Sequence, residues 1–268
     1  MRRRYVHGYS GRERERLNDQ AATLAELIHH DTVFPPGARV LEAGCGVGAQ
    51  TVIMAARNPR AQLVAIDISP ASVAAARRRA ARARLGNVAF QVADLHTLAF
   101  PAGSFDHIVV CFVLEHLTQP LAALRALTRV LKPGGMLTII EGDHSSAYFH
   151  PDGDAARAAV AALVAAQARA GGDACIGRRL YPLLRTARLT RVRVSPRLVY
   201  VDGSRPALAR GFTLDTFTAM VAGAREPIVG GGLLDARTFA RGLRELRRTA
   251  RRDGTFCYTF FKATAVRR

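Results

Sequence analysis

Lysine is nearly absent from this chain. Of its 39 basic residues only Lys132 and Lys262 are lysines, so 39 − 2 = 37 are arginine, set against 21 acidic residues for a formal charge of +18. A basic tail that binds nucleic acid comes as a block of mixed cations with few apolar residues, and such blocks are disordered. Here the arginines are spread among alanines, and 49% of the residues are hydrophobic. That excludes disorder and collagen and leaves enough apolar material for one core. Cysteine is scarce as well. Cys45, Cys111, Cys175 and Cys257 show no C-x-x-C spacing, so a disulfide scaffold is excluded and four free buried thiols in a reducing compartment are expected.

Apolar runs of membrane length are also missing. The first residues, Arg2-Arg3-Arg4, lead into Arg12-Glu13-Arg14-Glu15-Arg16 without the hydrophobic stretch of a signal peptide. The least polar segment, Ala155 to Ala170, is interrupted by Arg157 and Arg169 and is too short to span a bilayer. A cytoplasmic protein with no membrane insertion is the expectation.

What is present is a regular alternation. Apolar residues from Leu17 to Ile28 fit one helix face within Arg12 to His30, with His29 and His30 as its solvated end. Pro35, Pro36 and Gly37 stop it. Strands are predicted at 38–43, 62–66, 88–92, 105–112 and 136–141, and helices at 49–57, 70–85 and 120–130. Ser69 and Pro70 supply the cap and first residue of the second of these helices. Near-continuous apolar strands separated by helices imply a parallel sheet covered on both faces, an α/β fold. Beyond Gly142 come predicted helices at 154–170 and 178–186, a β-branched strand at 190–201, a strandless stretch ending in an arginine-studded helix at 236–252, and an aromatic strand at 256–266. The division that follows is an N-terminal helical lid at 1–34, a core at 35–202 and 253–268, and a helical cap insertion at 203–252.

Chemistry concentrates at the strand ends. Residues 39–51 read R-V-L-E-A-G-C-G-V-G-A-Q-T, a strand running into a glycine turn and a helix. Gly44, Gly46 and Gly48 are spaced G-x-G-x-G, with Ala49 where the dinucleotide fingerprint has its third glycine. Glu42 beside that turn would repel a pyrophosphate and favour a cationic group, which also disfavours a nicotinamide-dependent reductase. Asp67 ends the second strand 23 residues after Gly44, where a carboxylate can accept from both hydroxyls of a ribose. Asp94 ends the third, placed to accept from an exocyclic adenine amine.

Together with Phe105-Asp106-His107 through Leu114-Glu115-His116-Leu117 and Leu131-Lys132-Pro133-Gly134-Gly135, these residues resemble the class I S-adenosylmethionine-dependent methyltransferases. The likeness is nearest to the small-molecule branch related to the ubiquinone and menaquinone biosynthesis methyltransferases, and it covers about residues 36–143. It implies a Rossmann-like sheet of seven strands in the order 3-2-1-4-5-7-6 with the last antiparallel, and S-adenosyl-L-methionine as cofactor. It also implies that Glu42, Gly44, Cys45 and Gly46 hold the methionyl part, Asp67 the ribose, and Asp94 and Leu95 the adenine, with Gln50 and Ile68 among the cofactor-binding residues. Phe112 would offer backbone to the methionyl amine, and Tyr9, with Tyr5 and His7 nearby, would fold over the cofactor.

The acceptor side is less constrained. His116, Glu141 and His144 are candidate bases, and Asp143, Tyr148, Tyr181 and Phe217 are candidate lining of the acceptor pocket. Asp143, His144 and His150 match no metal-ligand spacing, so no metal is expected. The expected acceptor is a small molecule or short peptide, with the protein a monomer or homodimer. Methylation of RNA or protein is the alternative that the charge would favour. The fourth strand, however, ends Cys111-Phe112-Val113-Leu114 rather than in an Asn/Asp-Pro-Pro-aromatic string that grips a flipped base, so nucleic acid is not the expected partner. A non-catalytic scaffold on a cofactor fold is the reading from another class.

Overall fold

The computed structural model describes residues 11–268, with side chains from Gln20 onward. Helix α1 (Gly11–His29) precedes the alternating elements β1 (Arg39–Ala43), α2 (Ala49–Arg57), β2 (Gln62–Asp67), α3 (Pro70–Arg82), β3 (Val88–Val92) and β4 (Phe105–Cys111). Then follow α4 (Pro120–Val130), β5 (Leu131–His150), α5 (Asp154–Arg169), α6 (Leu180–Thr186), β6 (Thr190–Val201), a helical stretch ending in Ala236–Arg248, and β7 (Thr255–Val266). The seven strands form one sheet in the order β3-β2-β1-β4-β5-β7-β6, as the resemblance implies. Strands β1 to β5 pair in parallel. Strand β7 runs against its neighbours: Gly134 and Gly135 at the start of β5 exchange backbone bonds with Arg267 past the end of β7, and Thr190 at the start of β6 reaches Val266.

The chain packs as two compact units. One comprises Ala25–Glu141, Ile176–Pro196 and Phe261–Arg268; the other comprises Gly142–Cys175, Arg197–Phe260 and the described residues up to Leu24. In the first, Leu41, Ile66, Ile108, Leu127, Leu137 and Ala263 share one buried cluster, the apolar faces of the strands closed by α4 and α6. In the second, Phe212, Phe217, Phe256, Tyr258 and Phe260 interlock with ring centroids 4.7 to 6.0 Å apart. Residues 209–218 there wind as a π-helix, which brings Phe212 and Phe217, five apart, onto the same strand.

Several boundaries differ from the sequence reading. Strand β5 runs from Leu131 to His150 rather than 136–141. Before Met136, Gly134 takes a left-handed φ of 74° and stays in the ladder with Arg267, and Ser146 pairs with Thr259 farther along. Helix α3 stops at Arg82 because Leu85 N–H returns to the carbonyl of Ala80 while Arg84 adopts φ 54°. An arginine therefore takes the left-handed C-terminal position that glycine normally fills. Cys175 is half-buried, and the other three thiols are buried and free. Among the described residues no helix is long and apolar enough to cross a membrane.

One of the two lysines closes α1. Lys262 on β7 is 4% exposed, and its Nζ donates to Asp31 Oδ1 at 2.6 Å, Thr32 Oγ1 at 2.8 Å and the Ile28 carbonyl at 3.2 Å. The charge is satisfied by three acceptors at a helix C-terminus, where a cation is favoured. Removing it takes a donor from the Ile28 carbonyl and leaves the Thr32 hydroxyl only its contact with His29. Because Asp31 is 42% exposed and can rehydrate, Lys262→Met should lower the unfolding free energy by about 2 kcal/mol rather than the full penalty of a split buried pair. Urea denaturation measures this, and a loss below about 0.5 kcal/mol would show that the contact contributes nothing net.

Candidate active site

The parallel ladder sets the geometry. Ala43 faces Ile66 and Val110, and Asp67 faces Val92, so the segments that leave β1, β2, β3 and β4 emerge at one sheet edge. That is where open α/β sheets bind ligands. After Ala43 the chain turns sharply: the amides of Gly44 and Cys45 both donate to the Ile66 carbonyl at 2.8 Å. Gly44 has φ 83°, and a Cβ there would lie 2.4 Å from Val113 Cγ2, so a side chain is excluded by shape as well as by torsion. Gly46, at φ 52°, is different, because a Cβ on it would meet nothing within 4 Å. Gly44 is a packing glycine, whereas Gly46 presents bare backbone to open space.

Asp67 closes the turn. Its Oδ2 accepts from Gly46 N and its Oδ1 from Ser69 N, each at 2.9 Å. Burial raises its pKa, and these two amides oppose the shift. The carboxylate thus ties the glycine turn to the start of α3 and, with further lone pairs, can still accept from a ligand. Next to it, Ile68 is 51% exposed, an apolar surface at the sheet edge. Asp94 Oδ1 accepts from His96 N at 2.9 Å, the geometry of a turn aspartate. Leu95 belongs to the buried core cluster, so its backbone rather than its side chain is offered to the edge.

Glu42 lies under the turn and is 2% exposed. Its Oε2 has no hydrogen-bond partner. Burial pushes its pKa up to about 7; the neighbouring Thr51 hydroxyl, itself without a hydrogen-bond partner, opposes that rise and the charge of Asp67 adds to it. A buried carboxylate oxygen without a donor asks for one, and an ammonium group would supply both the donor and the compensating charge. Cys45 and Cys111 are inert by comparison, since burial and neighbouring carboxylates push both thiols far up.

Gln50, in the first turn of α2, is held by a histidine placed at a solvated helix end by the sequence reading. His29 is instead 1% exposed, with Nε2 at 2.8 Å from Gln50 Oε1 and Nδ1 at 3.1 Å from Thr32 Oγ1. Because Gln50 Oε1 can only accept, a neutral His29 carries its hydrogen on Nε2 and its Nδ1 accepts from the Thr32 hydroxyl, whose oxygen in turn accepts from Lys262. Burial lowers the His29 pKa to about 4, in keeping with a neutral ring. Its apolar periodicity is that of a helix end, and only the packing of α1 against α2 turns it inward.

The chain leaves β4 with Phe112 at φ 57°. Glu141, fully buried at the end of the first unit's part of β5, accepts on Oε1 from Val113 N at 3.0 Å and Leu114 N at 2.7 Å. Glu115 is 6% exposed, and His116 Nε2 stands 3.5 Å from its Oε1. Burial and the charge of Glu115 hold the Glu141 carboxyl well above the usual range. This Glu115–Glu141 pair has no local sequence signal, because its members lie 26 residues apart and meet only through the β4–β5 register.

The other candidates divide. Tyr181, on α6, is 54% exposed. Asp143, His144, Tyr148 and Phe217 belong to the second unit. There His144 Nδ1 sits 2.7 Å from the Tyr258 hydroxyl, Asp143 is 2% exposed, Tyr148 is 65% exposed and Phe217 is 1% exposed within the aromatic cluster. Tyr258 and Lys262 have a Tyr-x-x-x-Lys spacing, but on a strand they are roughly 13 Å apart. Their polar ends go to His144 and to the end of α1 respectively. Tyr5, His7 and Tyr9 lie outside the described residues.

The strand order, with a glycine turn after the first strand, is that of the class I S-adenosylmethionine-dependent methyltransferase fold. Residues 41–139 match the family model described as a methyltransferase domain, and over much the same stretch the chain is similar to methyltransferases of quinone biosynthesis. The ubiquinone biosynthesis O-methyltransferase of Xanthomonas campestris pv. campestris (strain B100) is 39% identical over 115 residues, 42% of this chain and 47% of its own length. The demethylmenaquinone methyltransferase of Thermus thermophilus is 38% identical over 103 residues, 38% of this chain and 46% of its own. The chain therefore spans less than half the length of these curated relatives. A phosphoethanolamine N-methyltransferase 2 of Haemonchus contortus, solved in complex with phosphomonomethylethanolamine and S-adenosylhomocysteine, has the same fold, with a TM-score of 0.57 and 16% identity over 92% of this chain and 52% of that one.

Proposed function

We propose that the protein is an S-adenosylmethionine-dependent methyltransferase acting on a small molecule or short peptide. The observation that carries this reading is the buried, unpartnered Glu42 Oε2 beneath a glycine turn whose middle residue is open to a ligand. The names of the two curated relatives, both methyltransferases of quinone biosynthesis, support a small-molecule acceptor.

When bound, the cofactor supplies an electrophilic methyl group on a sulfonium. The chain's own work is to bind and orient. Glu42 would take the methionyl ammonium, directly or through water, and Asp67 the ribose hydroxyls. Gly46 would let the backbone approach, while Ile68 covers the apolar side of the nucleoside. Positioning accounts for most of the rate when the leaving group is already cationic. A base is needed only for an acceptor protonated at neutral pH; His116 and His144 are the imidazoles we assign to that task, according to where the acceptor seats.

Thermal denaturation tests the cofactor assignment. S-adenosylhomocysteine at one hundred times its Kd should stabilise the protein by about 2.7 kcal/mol, and NAD at equal concentration should leave the midpoint unmoved. Stabilisation by NAD alone would overturn the reading.

A further inference from the structure

Glu141 stands where the β4–β5 pairing stops and the turn after β4 begins. Strand β4 pairs with β5 as far as Cys111 opposite Ile140, and the amide of Phe112 makes one more rung to the Ile140 carbonyl at 2.9 Å. Phe112 then takes φ 57°, a left-handed conformation that a bulky side chain disfavours and that persists only when its surroundings hold it. The next two amides, Val113 and Leu114, point back toward β5 at the start of a short 3-10 turn (Leu114–His116), with no strand left to receive them. Glu141 Oε1 receives both. Val113, fixed in this way, fills the space that a Cβ on Gly44 would need. One carboxyl group therefore connects the end of β4 to the glycine turn.

We propose that Glu141 is a positioning residue for the methyl-donor site: by capping Val113 N–H and Leu114 N–H it holds the left-handed turn at Phe112 and seats Val113 on Gly44. This inference rests on the reading of the glycine turn as the donor site. It differs from a role as general base. The Oε1 oxygen is committed to two amides, and the whole side chain is 0% exposed. Its Oε2 is buried without a hydrogen bond, and the side chain and backbone amide of Glu115 lie close to the carboxyl, an arrangement that suits a protonated carboxyl whose other oxygen accepts like a carbonyl. Glutamine reproduces that acceptor and that neutrality. Alanine removes the cap, and aspartate falls short of it by one methylene.

The test compares the full chain with Glu141→Gln, Glu141→Asp and Glu141→Ala, measuring S-adenosylhomocysteine affinity by calorimetry at a temperature where near-ultraviolet circular dichroism shows each protein folded. Glu141→Gln should bind within about threefold of the parent, and Glu141→Ala about tenfold or more weaker, the effect of two lost amide contacts on a ligand-bearing turn. Should the alanine variant not fold, Glu141→Asp carries the same expectation. Val113→Ala, which leaves the cap intact and removes the seat on Gly44, should weaken binding by a smaller factor, about threefold. Parent-like affinity in a folded Glu141→Ala or Glu141→Asp would overturn the proposal. So would a glutamine variant as weak as the alanine variant, because rescue by a neutral acceptor is what separates capping from an ionic role. Failure of the parent protein itself to bind would overturn the donor-site reading, and this inference with it.

Discussion

Replacing Asp67 with alanine is expected to weaken S-adenosylhomocysteine binding by about 3 kcal/mol, more than a hundredfold in Kd. A ribose acceptor alone would account for roughly 1–3 kcal/mol. The structure adds a second loss, because Asp67 also holds Gly46 N and Ser69 N at 2.9 Å. Without it the open residue of the glycine turn and the start of α3 are no longer tied together, and the ligand must order them on binding. Asp67→Asn should be nearly as damaging: its single oxygen can serve one of the two amides, while its NH2 group confronts the other. Titration calorimetry with both variants checks this, and affinity within threefold of the parent in Asp67→Ala would sink the assignment.

Such a residue was legible in the sequence because its signal is local. An acid ending an apolar strand a fixed distance after a glycine turn implies strand, turn and ligand together. Elements with one clear period were equally readable: Val88–Val92, Pro120–Val130 and Thr190–Val201 occupy the predicted residues. The failures share a cause. Strand β5 outruns its apolar segment because β7 pairs with residues on both sides of it, and helix α3, expected to run to residue 85, ends at Arg82 with Arg84 left-handed. His29 reads as a solvated helix end until α2 supplies Gln50. Glu141 reads as a strand-end acid and candidate base until the β4–β5 register delivers two amides to it. In each case tertiary pairing decided what local pattern could not. The arginines were legible in the opposite sense: Arg77, Arg78, Arg82 and Arg84 are exposed, as are Arg241, Arg244, Arg247, Arg251 and Arg252, so most of the charge excess is a property of the surface rather than of the site.

Glu42 carries the other large effect, in which stability and binding are expected to move in opposite directions. In the ligand-free protein burial pushes its pKa from 4.5 to about 7. A folded-state pKa above the unfolded one means that the folded chain holds the proton more tightly. The associated stabilisation is fully present below pH 4.5 and is lost as pH rises through about 7. The span corresponds to roughly 3 kcal/mol at 1.36 kcal/mol per pKa unit. Glu42→Gln has no proton to lose, so above pH 8 it should exceed the parent in stability by about that amount while matching it near pH 4. The same substitution removes the anion that would face the methionyl ammonium. S-adenosylhomocysteine should therefore bind the variant about 2 kcal/mol more weakly at pH 8, the worth of a charge-assisted contact. In the parent, affinity should rise with pH up to about 7, because binding must first ionise Glu42; in the variant that dependence should vanish. Urea denaturation across pH, paired with calorimetry at pH 6 and 8, measures both arms. A variant that is no more stable at high pH would mean that Glu42 is already ionised at little cost in the ligand-free fold. A variant that binds as tightly as the parent would mean that the empty valence of Oε2 is met by something other than the ligand.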